Sequence, residues 1–315
     1  YGGHSEYDVR IIGHYHRRIQ RVTVQAASER LRWSMNAKIK KNSIKAVLYT
    51  ALILICISWV FPLLFMLLTA LRTNEEIRFE GFSFFPKHFT FATFGEVLSN
   101  TKSAPVLQWF VNSFIVSVSS AILILFIDSM AAYGYARLHF KLNHVLFMLL
   151  MASMMIPGVI NLISNYVIVT NLGLKNNLLA LILPGLGGVG NIFLIRQFIY
   201  SVPKDFDEAA KIDGAGEIRV FFIIILPQIV PVLAVVALFT FIGSWNDLLW
   251  PLIVIQDVQR RTLTAGLSLL NGAYDAQQAS KMAAAVISII PVFILYLFAQ
   301  KFLLQGISLS SGIKE

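Results

Sequence analysis

Residues Pro203 to Pro227, PKDFDEAAKIDGAGEIRVFFIIILP, set Asp205, Asp207, Glu208, Asp213 and Glu217 among Lys204, Lys211 and Arg219. Carboxylates gathered this closely can hold a cation, exchange protons, or form charge-assisted hydrogen bonds with a basic partner. The first two uses call for metal-ligand spacing or a paired nucleophile and base, and the stretch supplies neither. Its local pattern is informative. Pro203 suits the first position of a helix, and Asp205, Asp207 and Glu208 fill a first turn, where acids meet the positive end of the helix dipole. Ala209, Ala210 and Lys211 are helix formers. Asp213-Gly214 signals a tight turn, because glycine accepts left-handed backbone angles, and a second helix is expected to open at Ala215. Two helices joined by such a turn form a knob, acidic at its exposed end, that suits a cleft in another protein. A plain solvated connector has the same composition, and the residues alone leave both readings open.

Other polar groups stand inside apolar runs. Asn161, Ser164 and Asn165 share one face of a helix by their spacing. Ser244, Trp245, Asn246 and Asp247 set an aromatic ring beside amide and carboxylate groups, which suits stacking on a sugar ring and bonding its hydroxyls, or forming an external gate. Polar contacts that hold helices together are the competing account of both sets. Asp128 is an acid at the end of an apolar run, and such acids are functional candidates; pairing with Arg137 is the favoured expectation. The run Gly185-Leu186-Gly187-Gly188-Val189-Gly190 fits a dinucleotide fingerprint by spacing, but no strand precedes it, and close helix approach explains the small residues better. The phosphate-binding pattern G-x-x-x-x-G-K-[ST] does not occur in the sequence, so energy from a nucleotide must come through a partner. The single cysteine, Cys56, lies in an apolar run and is expected to be a small buried hydrophobe.

The elements that must position these groups are membrane spans. The chain of 315 residues is 57% hydrophobic and 14% charged, with mean hydropathy +0.69; soluble domains carry about 25% charged residues. Ala46 to Leu71 is free of charge and long enough to cross a hydrocarbon core of ~30 Å. Further runs at Trp109–Ile127, Val145–Thr170, Leu178–Ile199, Ile223–Trp250 and Met282–Ala299 bring the expected count to six, with Pro227 and Pro231 kinking the fifth. An even count puts both termini on one side. The basic leader before Ala46 holds more Lys and Arg than all the opposite-side segments together, which makes that side cytoplasmic. The same topology accounts for the net charge of +9 without a nucleic acid. No signal peptide is expected, since the first apolar run begins so deep and runs so long. Residues His14 to Lys41 read either as a basic interfacial helix on anionic lipid or as a mobile tail.

Glu208-Ala209-Ala210, then Asp213-Gly214-Ala215, then Leu226-Pro227 resemble the EAA loop of membrane subunits of binding-protein-dependent ABC importers. Arg196-Gln197-Phe198, FTFIGSWNDLLWPLIV (Phe239 to Val254), AAYGYARLHF (Ala131 to Phe140) and Met155 to Asn177 are similar to segments of the carbohydrate branch, most of all its second, maltose-type permease subunit. The resemblance implies an all-α, polytopic membrane protein with six transmembrane helices and a cytoplasmic coupling helix pair, the type I importer permease fold. Residues 1–45 would be a basic cytoplasmic segment, 46–300 the permease domain with its coupling loop at 203–220, and 301–315 a cytoplasmic tail. It further implies a bacterial inner-membrane protein that passes a sugar or oligosaccharide by alternating access and is not itself an enzyme. Asp207, Glu208, Ala209, Ala210, Asp213, Gly214 and Ala215 would engage a dimeric cytoplasmic ATPase, which would bind ATP and Mg; no cofactor or metal is expected in this chain. A second permease subunit and an extracytoplasmic sugar-binding protein complete the implied assembly, the latter received by Arg72 to Gln108 and Gln256 to Lys281. An acidic oligosaccharide such as alginate is compatible with the positive charge, which topology already explains. An ion-coupled secondary transporter is the main alternative; it would need two related halves and paired intramembrane acids, and only Asp128 and Asp247 offer themselves. A membrane-embedded enzyme would need a catalytic set that the sequence lacks.

Overall fold

The computed structural model describes residue 41 and residues 43–80, 83–273 and 277–310. The basic leader, apart from a few residues at its end, and residues 311–315 lie outside that set, and with them the interfacial-helix expectation for His14 to Lys41. Two compact units are distinguished, Tyr1–Leu64 and Phe65–Glu315. In the first, the described residues belong to helix α1 (Ser43–Ala70), and every side chain from 43 to 64 is exposed. Its free cysteine, Cys56, is exposed with them rather than buried.

In the second unit α1 ends at Ala70 and the chain turns into α2 (Asn74–Glu80) and α3 (Ala92–Ser99). Helix α4 (Val106–Arg137) follows, then α5 (Asn143–Ser153), α6 (Gly158–Asn171), α7 (Leu179–Gly185) and α8 (Val189–Ser201). The charged stretch forms α9 (Asp205–Ile212) and the start of α10 (Glu217–Gln228). The chain continues through α11 (Val230–Trp245), α12 (Leu249–Val254), α13 (Leu263–Ala273) and α14 (Gln278–Ser310). Among the described residues no strand occurs.

Helices α1, α4 and Gln278–Phe302 of α14 are long and apolar enough to cross a membrane as they stand. The other three expected spans are bent pairs, and the count reaches six if each pair is one span. The third breaks by 90° between α5 and α6, the fourth by 52° between α7 and α8, the fifth by 80° between α10 and α11. Pro231 accounts for the last, as the sequence suggested, because its ring removes a backbone donor. The first two were read as plain runs. Pro157 and Gly158 interrupt one; Gly187, at φ +103°, interrupts the other. Apolar composition carries no record of such breaks, since both arms remain oily.

Helix α4 is the axis of the unit. It runs past its apolar stretch by ten residues because Asp128, Tyr133 and Arg137 are buried against neighbours rather than in water. Between helices in lipid there is little hydrophobic driving force, so small residues and polar contacts decide the packing. On α4 the buried Ser113, Ser117, Ser120 and Ala121 supply the small face, and α8 and α11 pack along the helix. One buried cluster joins Tyr133 of α4 with Ile195 and Ile199 of α8, Phe221 of α10 and Val232 of α11. A second joins Trp109 at the other end of α4 with Trp245 of α11, Leu263 of α13 and Ala283 of α14. Helix α14 continues unbroken through residues 301–310.

Candidate functional site

Lys204 opens α9, with its carbonyl accepting from the amides of Asp207 and Glu208 at 2.9 and 3.0 Å. The helix closes on a Schellman turn. Ala215 N–H donates to the Ala210 carbonyl at 2.9 Å and Gly214 N–H to that of Lys211 at 3.0 Å, while Gly214 sits at φ +81°. Only glycine adopts that angle without strain, and the two bonds satisfy carbonyls that the helix end would leave open. Gly216 is extended and α10 begins at Glu217, two residues after the expected start.

Three polar contacts lock this knob. Lys211 Nζ lies 2.6 Å from Glu217 Oε1, tying α9 to α10. The Tyr133 hydroxyl of α4 donates to Glu217 Oε2 at 2.7 Å. Arg137, at the last turn of α4, has Nε 2.9 Å from Asp207 Oδ2, with both side chains over 90% buried. A terminal nitrogen of Arg137 also donates to the carbonyls of Ile199 and Val202, at 3.1 and 2.6 Å. Burial pushes the Asp207 carboxyl above its ordinary value, and the Arg137 and Lys211 charges pull it back part of the way.

This geometry divides the expected coupling residues. Glu208, Ala209, Asp213 and Gly214 are exposed, and Ala210 and Ala215 are half-buried against the cluster below. Asp207 is turned inward to Arg137 and does not share the outward face, because position 207 lies on the side of α9 that packs on the bundle. Ile212 and Ile218 are 87% and 72% exposed. Neither isoleucine stands among the expected coupling residues, although apolar side chains in so polar a stretch are a signal in the sequence.

Asp128 and Arg137 do not pair. Nine residues separate them, about two and a half turns, so they leave opposite sides of α4 about 13 Å apart along its axis. The Asp128 carboxylate instead accepts from the Gly188 amide at 3.0 Å and from Asn191 Nδ2 at 3.1 Å. It lies against the opening turn of α8, where an anion meets the positive end of the helix. A Cβ at Gly188 would collide with Asn191 and come within 3.0 Å of that carboxylate. The glycine-rich run thus serves close approach, as expected, but to an acid rather than to a bare helix.

Asn161, Ser164 and Asn165 fall on α6 just past the 90° break, and none makes a side-chain hydrogen bond with another described residue. Trp245 is 1% exposed. Its ring stacks on Phe241, meets Phe110 edge-on, and its indole N–H donates to the Ser288 carbonyl at 3.1 Å. In this conformation it has no face open to a sugar. Asn246 is exposed, and the Asp247 carboxylate sits against the amides of Leu248, Leu249 and Trp250 at the start of α12. Among the described residues no group of His, Cys, Asp and Glu could hold a metal ion.

Residues 124–309 match the family described as binding-protein-dependent transport system inner membrane component. The chain is 33% identical over 257 residues to the Arabinooligosaccharides transport system permease protein AraQ of Halalkalibacterium halodurans, covering 81% of this chain and 91% of that protein. It is 31% identical over 267 residues to the Diacetylchitobiose uptake system permease protein NgcG of Streptomyces coelicolor, with 84% and 87% covered. Its fold is similar to a chain in the crystal structure of a bacterial ABC transporter involved in the import of the acidic polysaccharide alginate. The TM-score is 0.71 at 22% identity, over 83% of this chain and 97% of that one. At that identity the likeness speaks for the fold alone.

Proposed function

Because this chain belongs to the family of binding-protein-dependent transport system inner membrane components, we propose that it is a permease subunit of an ATP-driven importer of a sugar or oligosaccharide. It is a transport component, not an enzyme. The relatives named for arabinooligosaccharide and diacetylchitobiose transport support a carbohydrate cargo. In this reading a cytoplasmic ATPase dimer grips the α9–α10 knob, an extracytoplasmic binding protein delivers the sugar, and a second permease subunit completes the path. Residues 46–300 are the permease domain, with 203–220 as its coupling loop and both termini cytoplasmic. ATP and Mg belong to the partner.

One observation carries the coupling role. The knob is fixed to α4 from below by buried Asp207 and by Glu217, yet presents Glu208, Ala209, Ile212 and Ile218 outward. A rigid polar knob with exposed apolar side chains fits a groove, and its attachment to α4 passes any motion of that groove into the bundle. Asn161, Ser164, Asn165, Asn246 and Asp247 are the candidates for the sugar path or outer gate, with Trp245 as the packed anchor behind the last two. Reversing the charge with Glu208→Lys should abolish sugar uptake by the reconstituted complex while ATPase activity persists and expression is unchanged. Normal uptake by that variant would remove Glu208 from the coupling surface. A secondary transporter would instead work as a purified single chain in a proton or sodium gradient, without ATPase subunits.

A further inference from the structure

A cavity of about 580 Å³ opens beside the knob, between the end of α4, the start of α5, the last turns of α8 and Lys204. That volume is typical of small-molecule sites, which run about 300–1,000 Å³. Lys141, Arg196 and Lys204 line it together with His139 and His144, and no carboxylate does. Arg196 is held in place. Its guanidinium lies 3.8 Å from the Phe147 ring centre and 4.6 Å from that of Tyr200, and Nε donates to the Tyr135 carbonyl at 3.4 Å. Its two terminal nitrogens donate to no described residue, which leaves the forked edge that matches a phosphate. Asn143, the first residue of α5, also lines the cavity and adds the positive end of that helix.

Leu138 and Phe140 line the cavity as well, and the neighbouring Leu142, Val145 and Leu146 are 58%, 46% and 42% exposed at the start of α5. Cations in the cavity and oily side chains next to it on α5 suit a molecule with an anionic head and a hydrocarbon tail. We propose that this cavity binds the phosphate headgroup of an anionic phospholipid, with its acyl chains lying along α5. The assignment rests on the reading above that the coupling side is cytoplasmic, which places the cavity at the inner leaflet, where basic pockets between helices meet anionic lipid. A free phosphate would use the cations and leave the exposed apolar side chains of α5 idle.

The test uses the whole complex in nanodiscs of phosphatidylcholine with and without phosphatidylglycerol, read by native mass spectrometry for retained phosphatidylglycerol. Lys141 and Lys204 are exposed, so Lys141→Ala and Lys204→Ala are expected to fold. Each should lower retention about fivefold, and the double variant further, at roughly the energy of one basic side chain near an anionic surface. Equal retention by wild type and double variant would overturn the site. Displacement of the lipid by millimolar inorganic phosphate would overturn the lipid assignment. Retention is read without ATP or sugar, so it stands or falls apart from Glu208→Lys, which reports on coupling alone.

Discussion

Arg137 ends α4 with an acid from the knob and two carbonyls of the α8 terminus gathered on its guanidinium. Removing one partner of a buried pair strands the other charge, at a cost of about 3–5 kcal/mol. Arg137→Ala and Asp207→Ala should therefore each lower the thermal unfolding midpoint of the purified complex. Glu208→Ala, on the exposed face, should leave it unchanged. Equal midpoints for all three would show that Asp207 faces outward after all. Glu76 offers a test by pH. Burial pushes its carboxyl up, but the Lys87 amide and the Arg72 guanidinium, 2.8 Å away, outweigh burial and hold it below its ordinary value. A depressed carboxyl stabilises above its ordinary value and loses that contribution as pH falls through its folded value. The gap in unfolding midpoint between wild type and Glu76→Gln should be open at pH 7 and close only as pH falls below the ordinary carboxylate value. A gap that stays constant with pH would mean that the pair contributes nothing through charge.

At the scale of elements, the turn between α9 and α10 was legible from Asp213-Gly214, because only a residue without Cβ sits at φ +81° at little cost. Gly214→Ala should cost about 1 kcal/mol. It should also speed hydrogen exchange at the amides of Gly214 and Ala215, which close the Schellman bonds; unchanged exchange there would refute that account. Of the breaks within the third and fourth spans, the first had a local signal, since Pro157 lacks the backbone donor a helix needs. Gly187 is an ordinary residue of an oily run until packing makes it a corner. The Asp128–Gly188 contact shows why, since residues 60 positions apart in sequence share one hydrogen bond.

For the whole molecule, the proposed topology assigns each loop to one face of the membrane. Ile212 of the knob and Gln259 after α12 are both exposed and belong to opposite sides in the proposed topology. In a Cys56→Ser background, an impermeant maleimide should label Gln259→Cys in intact spheroplasts and reach Ile212→Cys only after lysis. Labelling of Ile212→Cys before lysis would invert the assembly and end the coupling reading. The second arms of the fourth and fifth spans, α8 and α11, pack along α4, so in the proposed coupling a load applied at Glu208 would reach the bundle through Asp207, Arg137 and Tyr133 rather than through the chain alone.

Apolar runs, the charge bias of the loops and the helix-turn-helix chemistry of 203–220 were determined by the sequence itself, because each is a local balance of solvation and backbone preference. Which carboxylate faces outward and which faces the bundle was not. Asp207 and Glu208 are adjacent and nearly identical in chemistry, and only the position of Arg137 at the foot of α4 separates an inward anchor from an outward contact. Likewise Trp245 reads as an open aromatic in the chain and becomes a buried one when Phe110, Phe241 and Ser288 close on it. Burial is a property of what arrives from elsewhere in the chain, so it was decided in three dimensions.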